Sequence, residues 1–215
     1  QGYNREGRGF LLDFSPEINY HKHYINRYAF LFNEYIGNKY VYLPELSLRH
    51  TGQKTFQFDN SHKTIALYLG GENKEFRKYP DEYAVQLLRL LNRQGYNLLL
   101  IGDENDNIKH TQYAEEARID HLINLTARTT IEGFINTIAN VDLIITIDSS
   151  ALHIAAAVKT PFIALMGLST SPTSTILPKV PLGRILKIEN NLIREEDYIR
   201  NITPDLILKT ISELI

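Results

Sequence analysis

The chain has 215 residues, enough for one ordinary domain with an appendage or for two small domains. Its 43% hydrophobic and 22% charged residues are those of a globular protein, and a formal net charge of -2 argues against a general electrostatic grip on nucleic acid. The sequence has no cysteine, which excludes disulfides and thiolate metal sites and fits a cytosolic home, and no apolar run approaches the roughly 20 residues that span a bilayer.

Residues 1–62 are rich in Tyr, Phe, Asn and His and show no regular strand–helix alternation. Residues 1–10 lack the form of a signal peptide. Within residues 21–36, Tyr24, Tyr28, Leu31 and Tyr35 follow helical spacing, and Gly37 makes a stop. His21 and His23 have no acidic partners nearby and read as surface residues rather than metal ligands. The aromatics of residues 20–42, with few basic residues among them, read as a packing face rather than a base-stacking platform. Residues 43–61 read as a linker or a surface loop.

From residue 63 to residue 215 short apolar runs alternate with helical patterns. A strand over 64–69 (TIALYL) runs into Gly70-Gly71, and a helix over 81–94, with Ala84, Leu87, Leu88 and Leu91 on one face, ends at Gly95. A second strand over 97–101 ends at Gly102-Asp103-Glu104; a polar helix covers 107–117 and a third strand 121–125. Thr129-Thr130-Ile131-Glu132 has capping-box spacing and opens a helix with Ile131, Phe134, Ile135 and Ile138 on one face. A fourth strand over 143–147 ends at Asp148, a small-residue helix covers 151–158, and a fifth strand covers 161–166. After a Ser/Thr/Pro loop come a strand over 184–188 and a closing helix over 204–215. Strands that are apolar throughout and separated by helices predict an α/β fold, a doubly wound, Rossmann-like parallel sheet covered on both faces.

Ligands of such sheets bind beyond the carboxyl ends of the strands, where strand order reverses. Glycines, small hydroxyls and carboxylates gather at those ends: Gly70-Gly71, Gly102-Asp103-Glu104, Leu125-Thr126-Ala127, Asp148-Ser149-Ser150 and Gly167-Leu168-Ser169-Thr170. Ser149 or Ser150 can cap the helix that follows the fourth strand, whose free N–H groups and positive dipole end suit a diphosphate, with His153 in the first turn. The same stretch also reads as a capped helix with a core histidine. Gly70 and Gly71 allow close backbone approach to a phosphate, and Arg77 or Lys78 supplies a cation for a departing nucleoside diphosphate. A glycine turn with two solvated basic residues is the alternative. Glu104 can accept hydrogen bonds from a ribose, or stand as an exposed loop carboxylate. No G-x-G-x-x-G fingerprint, Walker A sequence or G-x-S-x-G elbow occurs.

The stretch from Asp148 to Ala157 (DSSALHIAAA), followed by residues 160–167 (TPFIALMG), resembles the D-[ST]-G-x-x-H-[LI]-A-A-A…P-x-x-A-L-[FM]-G signature of the heptosyltransferases, glycosyltransferase family nine. Arg77-Lys78-Tyr79-Pro80 is similar to that family's K-x-W-P segment. Residues 97–102 resemble its strand ending in glycine, and residues 124–132 its N-L-x-G-x-[ST]-[ST]-[LI]-x-E stretch. The resemblance implies the C-terminal, donor-binding half of a GT-B architecture over residues 63–215, with residues 1–62 the tail of an N-terminal domain and a linker. It implies a nucleotide sugar, commonly ADP-heptose, as substrate and no cofactor or metal. Asp148 would contact the sugar, Ser149, Ser150 and His153 the diphosphate region, Arg77 a phosphate and Glu104 the ribose. It further implies a lipopolysaccharide-type glycan or glycolipid acceptor, inversion at the transferred sugar, and a cytoplasmic location, peripheral at the inner membrane. The acceptor domain and its catalytic base are expected outside this chain. Three positions depart from the family pattern: Ser150 replaces the signature glycine, Arg77 replaces lysine, and Gly70-Gly71 stands for P-G-[ST]. They leave donor sugar and nucleotide open. A GT-B-like nucleotide-sugar epimerase and a non-catalytic sugar-nucleotide-binding module are the rival readings.

Overall fold

The structure, a computed structural model, describes residues 12–16, 24–37, 47–59, 61–70, 78–167, 177–178, 180–187, 194 and 197–215. Gly71 and Arg77 lie outside the described residues, as do His21, His23 and the loop residues 168–170. The chain divides into two compact units, residues 1–45 with 170–177, and residues 46–169 with 178–215. In the first, helix α1 spans Tyr24–Ile36 and stops at Gly37, whose φ of +68° is the left-handed conformation that ends helices. Tyr35 packs edge-on against Phe14 at 5.8 Å between ring centres.

The second unit is built on a six-stranded sheet of β1 (Thr64–Tyr68), β2 (Asn97–Leu100), β3 (Leu122–Asn124), β4 (Leu143–Ile147), β5 (Phe162–Leu165) and β6 (Gly183–Leu186). The strands are parallel in the order β3-β2-β1-β4-β5-β6. Every residue of β1, β2, β4 and β5 is buried, whereas β3 and β6 at the two edges are partly exposed. Helices α2 (Asp81–Arg93), α3 (Asn107–Ala117) and α6 (Pro204–Ile211) pack together, α2 against each of the others. Helices α4 (Ile131–Ala139) and α5 (Ser150–Val158) pack on one another. The right-handed rule for parallel crossovers puts these two groups on opposite faces of the sheet. Tyr79 joins α2 to the chain before α6, its buried hydroxyl donating to the Ile202 carbonyl at 2.9 Å. Among the described residues no helix is long and apolar enough to cross a membrane.

Two details differ from the sequence expectation. Of the segment read as a linker or a surface loop, residues 47–59 run as an irregular strap bonded to α4 and α5. Leu48 N–H donates to the Ala157 carbonyl at 3.2 Å, and Thr51 pairs with Asn136 through its N–H and its hydroxyl at 3.1 and 2.9 Å. The Thr55 and Thr137 hydroxyls meet at 2.6 Å. This strap accounts for the second difference. Helix α4 buries Asn136, Thr137 and Ile138, while Ile131, expected on the packing face, is 82% exposed. Its cap also falls one residue later than the capping-box spacing predicts. Thr130 accepts from Gly133 N–H at 3.1 Å, and a glycine at that place supplies no returning carboxylate.

Candidate functional site

Strand order reverses between β1 and β4, since from β1 the chain winds outward to β2 and β3 and from β4 outward to β5 and β6. Their carboxyl ends open the crevice where an open parallel sheet takes its ligand. On the β4 side the strand ends at Ile147, and α5 begins at Ser150. Ser149 is the cap residue, extended at φ -149° and ψ 174°, and its hydroxyl accepts from Ala151 N–H at 3.2 Å. The Thr146 hydroxyl fixes it from the strand at 2.9 Å. Asp148 and Ser149 are half-buried, Ser150 and His153 exposed, and His153 stands in the first turn of α5. The Ser149 hydroxyl is thus committed to the cap, while Ser150 presents its side chain to solvent at the positive end of the helix dipole.

On the β1 side Leu69 leads to Gly70, and the chain is back at the same place by Tyr79, whose N–H donates to the Leu69 carbonyl at 3.3 Å. That return sets half-buried Lys78 at the end of β1. Asp81, first residue of α2, accepts hydrogen bonds from Lys109 and Tyr113 of α3. Burial alone would raise its pKa, but these bonds and the lysine charge outweigh that and lower it.

The residue that sequence reasoning missed is Asp106. It ends a 3-10 turn, 104–106, in which Asp103 accepts from Asn105 N–H at 2.8 Å and donates its own N–H to the Asp106 carboxylate at 3.3 Å. Only 5% exposed, Asp106 lies across the ends of β1 and β2. A Cβ on Gly70 would sit 1.7 Å from its Oδ1, and one on Gly102 2.7 Å from its Oδ2. Gly70 is therefore a glycine because a carboxylate occupies the place of a side chain. Glu104, nominated from the sequence, is exposed at the rim of the same turn. The sequence carried one signal for Asp106, a carboxylate soon after a glycine that ends a strand, but Glu104 carries the same signal.

At the end of β3 the chain makes a tight turn, Arg128 N–H donating to the Leu125 carbonyl at 3.0 Å. Ala127 in this turn has φ +59°, and its N–H bonds the Gly102 carbonyl at 3.1 Å. It stands at the glycine of the family stretch quoted above, and the positive φ explains the preference for glycine there. A groove of about 480 Å³ lies between Arg49, His50 and Thr51 of the strap and Ile131, Glu132 and Ile135 of α4; it contains none of the residues nominated from the sequence.

Gly70, Lys78 and Asp106 thus stand at the end of β1, and Asp148, Ser149, Ser150 and His153 follow the end of the neighbouring strand β4. The profile of glycosyltransferase family 9 (heptosyltransferase) matches residues 1–196. Lipooligosaccharide heptosyltransferase 2 of Haemophilus influenzae is 31% identical over 163 residues, which are 70% of this chain and 47% of that protein. Lipopolysaccharide heptosyltransferase 2 of Escherichia coli K12 is 24% identical over 172 residues, 74% of this chain and 49% of that protein. The chain thus spans about half the length of the curated relatives it matches. Among solved structures, the ADP-heptose LPS heptosyltransferase II of E. coli superposes with a TM-score of 0.81 at 22% identity, over 99% of this chain and 68% of that one. A family 9 glycosyltransferase from Veillonella parvula gives a TM-score of 0.76 at 17% identity, over 95% of this chain and 64% of that one. The chain belongs to glycosyltransferase family 9, the heptosyltransferases.

Proposed function

We propose that this chain binds the nucleotide-sugar donor, ADP-heptose, in an inverting glycosyl transfer to a lipopolysaccharide-type glycan acceptor on the cytoplasmic side of the inner membrane. The observation that carries the reading is the reversal of strand order between β1 and β4, with a capped helix N-terminus on one side and Gly70 on the other. The diphosphate lies at the exposed N-terminal turn of α5, opposite Lys78. Both stabilise the negative charge that grows on the leaving group as the transferred sugar takes on oxocarbenium character. Neighbouring strands lie about 4.8 Å apart, so a ligand whose phosphates sit at β1 and β4 lays its ribose over β2 and its base toward β3. Asp106 forms the floor under the ribose, Glu104 its rim, and the turn after β3 the wall beside the base. Asp148 faces the sugar side. Acceptor recognition and deprotonation are not among the tasks these residues take on in this reading. The family membership and the similarity to proteins named as heptosyltransferases support the donor assignment.

The test is calorimetric titration of the purified chain with ADP, UDP and GDP, on the wild type and on Ser150→Glu. ADP should bind most tightly. A carboxylate at the first position of α5 suits the helix dipole, so the variant should fold as well as the wild type, yet it should bind ADP at least about tenfold more weakly by repulsion of the phosphates. Equal affinity in the two proteins rules out the α5 N-terminus as the phosphate site.

A further inference from the structure

His110 of α3 and Thr126 after β3 are both fully buried, at 0% exposure, and the His110 Nδ1 lies 2.7 Å from the Thr126 hydroxyl. The His110 Nε2 is buried with no hydrogen-bond partner, and the ring packs against Tyr113 at 5.7 Å. An apolar pair would fill this space without desolvating an imidazole and a hydroxyl, so packing alone does not explain the bond. What the bond holds is the turn at residues 125–128. There Leu125 N–H bonds the Leu100 carbonyl at 2.8 Å, Thr126 N–H bonds the Asn124 side chain at 3.0 Å, and Ala127 N–H bonds the Gly102 carbonyl at 3.1 Å. Ala127 keeps a left-handed φ of +59°, which disfavours any residue with a Cβ and persists only where the surroundings over-determine it. Backbone bonds fix the turn along the sheet edge. The His110–Thr126 bond joins it to α3, the helix that follows Asp106.

We propose that His110 is a positioning residue, which through Thr126 sets the turn after β3 as a rigid wall for the nucleoside end of the donor. This rests on the nucleotide reading above. The phosphate end, at β1 and β4, is two and three strands away from β3 and should not feel the bond. The discriminating experiment titrates the full chain with ADP and, separately, with inorganic pyrophosphate, which occupies the phosphate site alone. His110→Phe keeps the ring volume and removes the bond, while His110→Asn keeps a hydrogen-bonding atom where Nδ1 stood. Thr126→Val removes the hydroxyl from the other side. The expected result is ADP affinity about tenfold lower in H110F and T126V, pyrophosphate affinity unchanged in both, and H110N within about threefold of the wild type for ADP. Wild-type ADP affinity in H110F and T126V, an equal loss of ADP and pyrophosphate binding, or no rescue by H110N would each overturn the positioning role. A wild-type chain that binds pyrophosphate and not ADP would remove the nucleoside wall altogether; one that binds neither would remove the nucleotide reading on which the proposal stands.

Discussion

Burial lowers the His110 pKa to about 4, with the negative charge of Asp103 opposing it to a smaller extent. In an unfolded chain the imidazole titrates near about 6.5. Between those values the unfolded state binds more protons than the folded one, so stability is lost as pH falls from about 6.5 toward 4. The two pKa values put that loss at roughly 2 kcal/mol on going from pH 7.5 to pH 5. Urea melts of the wild type and of His110→Asn at both pH values test this, since the variant lacks the titrating group and should show that much less pH dependence. Equal dependence would mean that His110 is hydrated or charged in the folded protein. The residues that act through local geometry were legible in the sequence. Ser149 caps α5 because a serine between an apolar run and a helix pattern has few other uses, and Gly37 and Gly95 stop their helices for the same local reason. Asp106 and His110 were not. Their roles exist only once Gly70 is folded against one and Thr126 against the other, and those neighbours are 36 and 16 positions away along the chain.

Glycines at strand ends admit Asp106, and a glycine within a strand has an equally definite cause at the other edge of the sheet. Gly183 opens β6, where a Cβ would lie 2.1 Å from Cζ of Phe162 in β5. The Phe162 ring is fully buried, so any shift of it displaces packed neighbours. Gly183→Ala should therefore cost about 1–3 kcal/mol by overpacking, read as a lower urea midpoint with an unchanged slope; a midpoint equal to that of the wild type would show that the β5–β6 edge yields. Apolar runs and helical spacing located the six strands and the five α-helices described in the second unit to within a few residues, because burial on both faces leaves little choice of residue. The strap was not legible. Its sequence is polar and without period, and its partners Asn136, Thr137 and Asn140 look in the sequence like the solvent side of a helix. Only tertiary pairing turns a wandering segment and a polar helix face into one packed layer, and that pairing also moved the buried face of α4 away from Ile131.

The alternation of strands and helices fixed the class of the whole second unit but not its strand order. That order, β3-β2-β1-β4-β5-β6, is what creates a single crevice, and it depends on α4 carrying the chain back across the sheet from β3 to β4. Once it is known, elements far apart in sequence become neighbours. Gly70, the turn containing Asp106, the turn after β3 and the tip of α5 all follow the carboxyl ends of their strands, along one edge of the sheet. Family membership is established by similarity, and donor binding is the task we propose for the residues at this edge. The most direct measurement is an amide NMR titration of the isotope-labelled chain with ADP. The account predicts that the amides of Gly70, Ser150, Ala151 and Leu152 move together with saturation and that those of Thr126 and Ala127 move with ADP but not with pyrophosphate. Saturable binding that leaves the amides at the tip of α5 in place would contradict it.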